Sequence, residues 1–293
     1  MSGAANRRWW ALVAMALSLL VIGLDSTVLN VALPTMAIDL HASTSQLQWF
    51  ADAYLLVMSA LLLPAGLLGD KYGRKRLTIG ALTVFGAGSI WCAFAGSATS
   101  LIGARILLGV GAAVLIPLVM STVVVLFEPD ERPKAIGVIG AATIVGLPAG
   151  PLVGGALLNH FWWGSVFLIN VPVIAIALTA AIALLPADGP SRPGVVDQVG
   201  VGLSAAGLVG LTYGLIEGPV RGWTSAPVVA ALLGGIGLLI AFVRWEARIR
   251  AVEPLMELGL WRNTSFRWGS SARLWRISGC SASCSSCRST SAR

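Results

Sequence analysis

Charged residues are few in this sequence. Asp, Glu, Lys and Arg make up 11% of its 293 residues, less than half the roughly 25% of an ordinary soluble domain. A water-soluble fold with a polar surface is therefore excluded. Histidine is scarcer still: the chain has only His41 and His160, both between apolar runs rather than within them. Of the four cysteines, Cys92 alone lies in the main body, and Cys280, Cys284 and Cys287 crowd the C-terminal end. No metal site, phosphate-cradling loop or hydrolase triad can be assembled from such a set, so no residues support an enzyme reading and neither cofactor nor metal is expected.

What the chain has in quantity is apolar surface. Hydrophobic residues make up 56%, with 34 Gly and 11 Trp; glycine is frequent in packed membrane helices and tryptophan gathers at bilayer interfaces. With about 20 apolar residues per crossing, the sequence predicts eight spans. They lie near Trp10 to Val31, Leu47 to Leu68, Leu77 to Gly96, Leu101 to Val125, Ala135 to Leu158, Val166 to Leu185, Val199 to Ile216 and Ala226 to Val243. The first run is long and no small-residue cleavage site follows it, so it reads as a span and not a signal peptide.

Charge placement tests this map. Arg7, Arg8, Lys71, Arg74, Lys75, Arg76, Arg132, Lys134, Arg192, Arg244, Arg248 and Arg250 all fall on one side, and the opposite loops hold only Arg221. Basic loops stay cytoplasmic, so both ends of the eight-span segment are expected there, in a multi-pass protein of the plasma (inner) membrane. The net charge of +7 is thus topological: the bilayer is the expected partner, and nucleic acid is not.

The sharpest motif is "GLLGDKYGRKR", Gly66 to Arg76, after the second span. In it Gly66 is expected to permit close helix approach, Gly73 a tight turn, and Asp70 to pair with a base or cap a helix end. Lys71, Arg74, Lys75 and Arg76 by themselves would serve as cytoplasmic anchors. The fifth span carries "GLPAGPLVGG", in which Gly146, Gly150, Gly154 and Gly155 let helices touch and Pro151 removes a backbone donor. Ordinary small-residue packing is the alternative.

The pattern GxxxD[RK]xGR[RK] resembles the loop 2 to 3 signature of the major facilitator superfamily. "LDSTVLNVALP" in the first span, "RILLGVGAAVLIP" in the fourth and the fifth-span stretch resemble its drug:proton antiporter branch of the EmrB and QacA type. "HFWWGSVFLINVP" resembles the subgroup that exports quaternary ammonium compounds, with Gly164 where many members of the wider branch have Arg. The likeness runs from about residue 9 to 268. It implies an all-α integral membrane fold of the major facilitator type: an N-terminal six-helix half over 1–186, a cytoplasmic linker over 187–198, two added helices over 199–243, a cytoplasmic segment over 244–269, and a missing second half. It also implies multidrug efflux by proton antiport, with lipophilic cations and protons as partners.

Within that likeness three charged residues stand out. A carboxylate at mid-span costs about 2.5 to 3.5 kcal/mol on insertion scales, so Asp25 is expected to face a wet cavity, attracting a cation or holding a proton in its place. A carboxylate hydrogen-bonded to Ser26, Thr27 or a neighbouring helix is the alternative. Asp52, near the outer end of the second span, matches an acidic position of the quaternary-ammonium exporters, where a solvated structural role is the other reading. Arg105 resembles the family's buried arginine, with Leu108 in place of the usual Gln. Arginine keeps its proton, so it would act on a nearby carboxylate; snorkelling to the outer interface is the alternative. Glu217 and Trp223 are expected to mark an interface.

After Trp268 the text changes character. The spacing CxxxCxxC formally matches an iron–sulfur loop, but nothing around it supports one. Shifted by two bases, suitable synonymous codons for Ala272 to Arg293 specify an apolar span instead. Residues 270–293 therefore read as a disordered, out-of-frame tail left by a frameshift, and a lone half is expected to be inactive, since alternating access needs two halves. A facilitator of another small molecule and a non-transporting membrane scaffold or regulator are the competing functions.

Overall fold

A computed structural model describes residues 2–186 and 197–248. Most of the linker at 187–196, the segment 249–269 and the tail with its three cysteines lie outside the described residues. The rest is helical: α1 (Ser2–Asp39), α2 (Thr44–Tyr72), α3 (Arg74–Ala93), α4 (Ala98–Leu126), α5 (Arg132–Leu158), α6 (Ser165–Leu168), α7 (Asn170–Leu184), α8 (Gln198–Arg221) and α9 (Ala226–Arg248). Seven segments, with α6 and α7 counted as one, are long and apolar enough to cross a membrane. The eighth expected span is α2, whose 29 residues rise about 44 Å, enough for a bilayer core of about 30 Å. The sixth span breaks at Ile169, so Asn170 opens α7.

Local chemistry sets the helix ends. Ser43 and Gln46 form a capping box at the start of α2, satisfying two orphan donors. Between α2 and α3 stands one residue, Gly73, at φ 95°. A side chain is strained there, so the glycine of the loop signature has a backbone cause.

Packing relates the first six spans as an inverted repeat. α1 rests on α5 and α7, α4 rests on α2 and α3, and α3 meets α7. Exchanging α1 with α4, α2 with α5 and α3 with α7 reproduces the same set of contacts, the signature of inverted repeats in transporters. α8 and α9 pack chiefly on each other, and α8 also lies along α2.

Glycines decide the closest approaches. A Cβ on Gly146 would stand 2.5 Å from the Leu20 carbonyl oxygen, one on Gly150 would strike the Thr27 hydroxyl, and one on Gly154 would stand 2.8 Å from Val28 Cγ2. These positions are one turn apart, so they form a stripe that seats α5 on α1. Gly155 departs from expectation: it points away, with open space where a Cβ would go. Gly66 is corrected too, because a Cβ there would meet only Pro117 Cβ at 3.8 Å, an ordinary contact. The tight crossing of α2 and α4 is at Gly109, where a Cβ would stand 2.8 Å from the Tyr54 carbonyl oxygen.

Candidate functional site: a buried ion pair between the first and fourth spans

Asp25 on α1 and Arg105 on α4, 80 residues apart, meet in the core. Arg105 Nη1 donates to Asp25 Oδ2 at 2.6 Å, and the two residues are 1% and 0% exposed. Arg105 Nε donates to the Phe50 carbonyl oxygen at 2.7 Å, and the guanidinium lies over the Tyr54 ring, 4.4 Å from its centroid. Phe50 and Tyr54 are one turn apart on α2, so one face of that helix orients the arginine. Asn170 Nδ2 at the start of α7 donates to Asp25 Oδ1 at 3.3 Å. Three helices from both repeats thus converge on one carboxylate.

The geometry revises one expectation and sets aside one alternative. Asp25 does not face a wet cavity here; it is enclosed and bonded to neighbouring helices. Arg105 does not snorkel: its charge is turned inward on the carboxylate. A pair so enclosed must be well bonded to repay its desolvation, and removal of one member leaves a buried charge uncompensated, at about 3 to 5 kcal/mol. Asn170 was not singled out from sequence, although a polar side chain within an apolar span is itself a signal. Its Oδ1 is buried with no partner among the described residues.

The α1–α5 seam lies beside this pair. Pro151 cannot donate to the carbonyl four residues back, that of Leu147; Thr27 Oγ1 of α1 donates to it instead at 2.9 Å. The helix with the proline defect is thereby tied to the helix that carries Asp25.

Asp52 is half-buried on α2 and is not joined to the pair. It lies instead in the field of Glu217 on α8. The α2–α8 contact is completed by Trp49 and Tyr213, with ring centroids 6.0 Å apart, and by Ser59 Oγ and Thr212 Oγ1 at 3.3 Å. Arg221, the exception in the outer loops, donates from Nε to Glu217 Oε2 at 2.6 Å. Gly164 abuts the Ala93 carbonyl so closely that a Cβ would collide with it, so the backbone here leaves no room for a side chain.

In the loop signature, Lys75 Nζ donates to the carbonyl oxygens of Ile182 at 2.6 Å and Leu185 at 3.0 Å, completing the C-terminal turn of α7. Arg7 adds a bond to the Ala183 carbonyl at 2.9 Å. Lys71 lies 5.6 Å from the Tyr72 ring centroid, Arg74 opens α3, and Asp70 occupies the last turns of α2. At the same end Arg8 pairs with Glu131 at 2.7 Å.

Comparison with known proteins fits this architecture. The profile of the Major Facilitator Superfamily matches residues 15–284. The multidrug efflux pump LfrA of Mycolicibacterium smegmatis is 37% identical over 262 residues, covering 89% of this chain and 51% of that protein. The methyl viologen resistance protein SmvA of Salmonella typhimurium is 36% identical over 256 residues, covering 87% of this chain and 51% of its own length. The chain therefore spans about half the length of these relatives. The crystal structure of the POT family transporter PepTSo superposes with a TM-score of 0.59 at 17% identity, covering 81% of this chain and 52% of that one, a likeness of fold. Helical and multi-pass in its described residues and built there on an inverted repeat, the chain belongs to the major facilitator superfamily of transporters.

Proposed function

We propose that this chain forms the N-terminal half, with two linker helices, of a drug exporter that exchanges lipophilic cations for protons at Asp25. The observation that carries the reading is the buried Asp25–Arg105 pair with Asn170 on its second oxygen. Relatives described as a multidrug efflux pump and as a methyl viologen resistance protein support the substrate class, since methyl viologen is a dication. The basic ends of α1, α3, α5 and α9 support a cytoplasmic N-terminus in the plasma membrane.

Arg105, a proton and a drug cation then compete for one carboxylate. Arginine cannot discharge, so protonation of Asp25 frees the guanidinium, and a bound cation displaces it. Asn170 suits both states, because its amide has a donor and an acceptor. The donor faces the ionised carboxylate, and a turn of the amide would offer the unpartnered Oδ1 to a protonated one. Magnitudes favour shared driving: one proton entering at 100 mV supplies about 2.3 kcal/mol, less than the about 3 to 5 kcal/mol of a broken buried pair. A pH gradient or the binding of the drug must supply the difference.

The test is binding of tetraphenylphosphonium to the purified chain from mildly acidic to mildly alkaline pH. Affinity is expected to weaken on acidification, and Asp25→Asn to be weak and insensitive to pH. Unchanged affinity and pH dependence in Asp25→Asn would overturn the reading.

A further inference from the structure

An open groove of about 350 Å³ lies between the N-terminal half of α8 and the C-terminal half of α9, lined by Leu203, Gly237, Ile240, Ala241, Trp245 and the arginines Arg244 and Arg248. Its volume falls within the about 300 to 1,000 Å³ of small-molecule sites. Its two ends differ in chemistry. Gly237, Ile240 and Ala241 are exposed, and a Cβ on Gly237 would meet nothing within 4 Å, so the lower groove is apolar and faces the bilayer. The upper rim carries two guanidinium groups one helical turn apart on the same face of α9, within reach of a single phosphate.

Among the described residues, the surrounding carboxylates form no ion pair with that rim. Asp197 caps α8, its Oδ1 accepting from Val199 N at 3.1 Å, and its Oδ2 accepts from Trp245 Nε1 at 2.9 Å. Glu246 is buried and lies two residues from each arginine, on the opposite side of α9. Arg244 and Arg248 are exposed and make no hydrogen bond or ion pair with another described residue. Because α8 runs antiparallel along α2, pairing Tyr213 with Trp49, the rim is level with Lys71 to Arg76 at the basic face of the bundle. An indole anchored at that level marks the bilayer interface.

We propose that this groove binds an anionic phospholipid, its phosphate between Arg244 and Arg248 and the start of an acyl chain along Gly237 and Ala241. Basic pockets between membrane helices at this face bind such headgroups. A soluble phosphate would use the rim and leave the apolar half of the groove idle.

The test is native mass spectrometry of the full chain released from nanodiscs of phosphatidylcholine containing phosphatidylglycerol, with inorganic phosphate as a separate competitor. Phosphatidylglycerol is expected to be retained over phosphatidylcholine. Arg244→Gln or Arg248→Gln should each lower that preference about fivefold, Gly237→Leu should lower it with the charges intact, and Arg221→Gln at the opposite end should leave it unchanged. An unchanged preference in the arginine variants, or in Gly237→Leu, would overturn the proposal. Displacement of the lipid by inorganic phosphate would also overturn it, by showing a site for a simple anion.

Discussion

The six-span bundle and the α8–α9 pair are made of similarly apolar helices, yet they place charge in opposite ways. In the bundle Asp25 and Arg105 are sealed in the core, tied to Phe50, Tyr54 and Asn170. In the α8–α9 pair the charges sit at the ends: Glu217 with Arg221 at one, Arg244 and Arg248 at the other. Charge inside a membrane bundle costs stability and is retained for a task; charge at helix ends sets topology and meets lipid headgroups. The two regions therefore divide buried charge from boundary charge.

Breaking the buried pair should have the largest effect. Asp25→Ala leaves Arg105 buried without its counter-charge and is expected to destabilise the chain by about 3 to 5 kcal/mol, read from unfolding in detergent. The double substitution Asp25→Leu with Arg105→Met should recover most of that loss while abolishing cation binding. A double variant as unstable as Asp25→Ala would remove the pair from the account.

Next come the helix seams. Gly150→Ala pushes a methyl against Thr27 and Val28 of α1 and should cost about 1 to 3 kcal/mol. Gly234→Ala on α9, where a Cβ meets nothing within 4 Å, should stay within about 0.5 kcal/mol. Equal losses at the two would erase the contrast between a close seam and an open face. Thr27→Val, which removes the hydroxyl donor to the Leu147 carbonyl, should cost about 0.6 to 1.7 kcal/mol by the same measurement. Ser59→Ala, at the α2–α8 contact with Thr212, should be smallest, about 0.6 kcal/mol or less.

The helices were legible because hydropathy and the sidedness of basic residues report spans directly, and because the turn at Gly73 needs a residue that tolerates positive φ. Asp25 and Arg105 were legible one at a time, as charges within apolar runs. Their pairing was not, since no local pattern joins residues on α1 and α4. Asn170 was overlooked because an amide in an apolar run is a weaker signal than a charge. The glycines show the limit most clearly: Gly150 and Gly155 look alike in one stretch of sequence, but α5 turns the first toward α1 and the second away. Likewise the motif pointed to Gly66, whereas the rotation of α4 places the close crossing at Gly109.

The central claim, that Asp25 is shared by Arg105, a proton and a cation, is tested most directly by infrared difference spectroscopy on acidification of the purified chain. The account predicts a protonated-carboxyl C=O band that is missing in Asp25→Asn and is erased by tetraphenylphosphonium. A band that persists in Asp25→Asn, or that the cation leaves untouched, would contradict it.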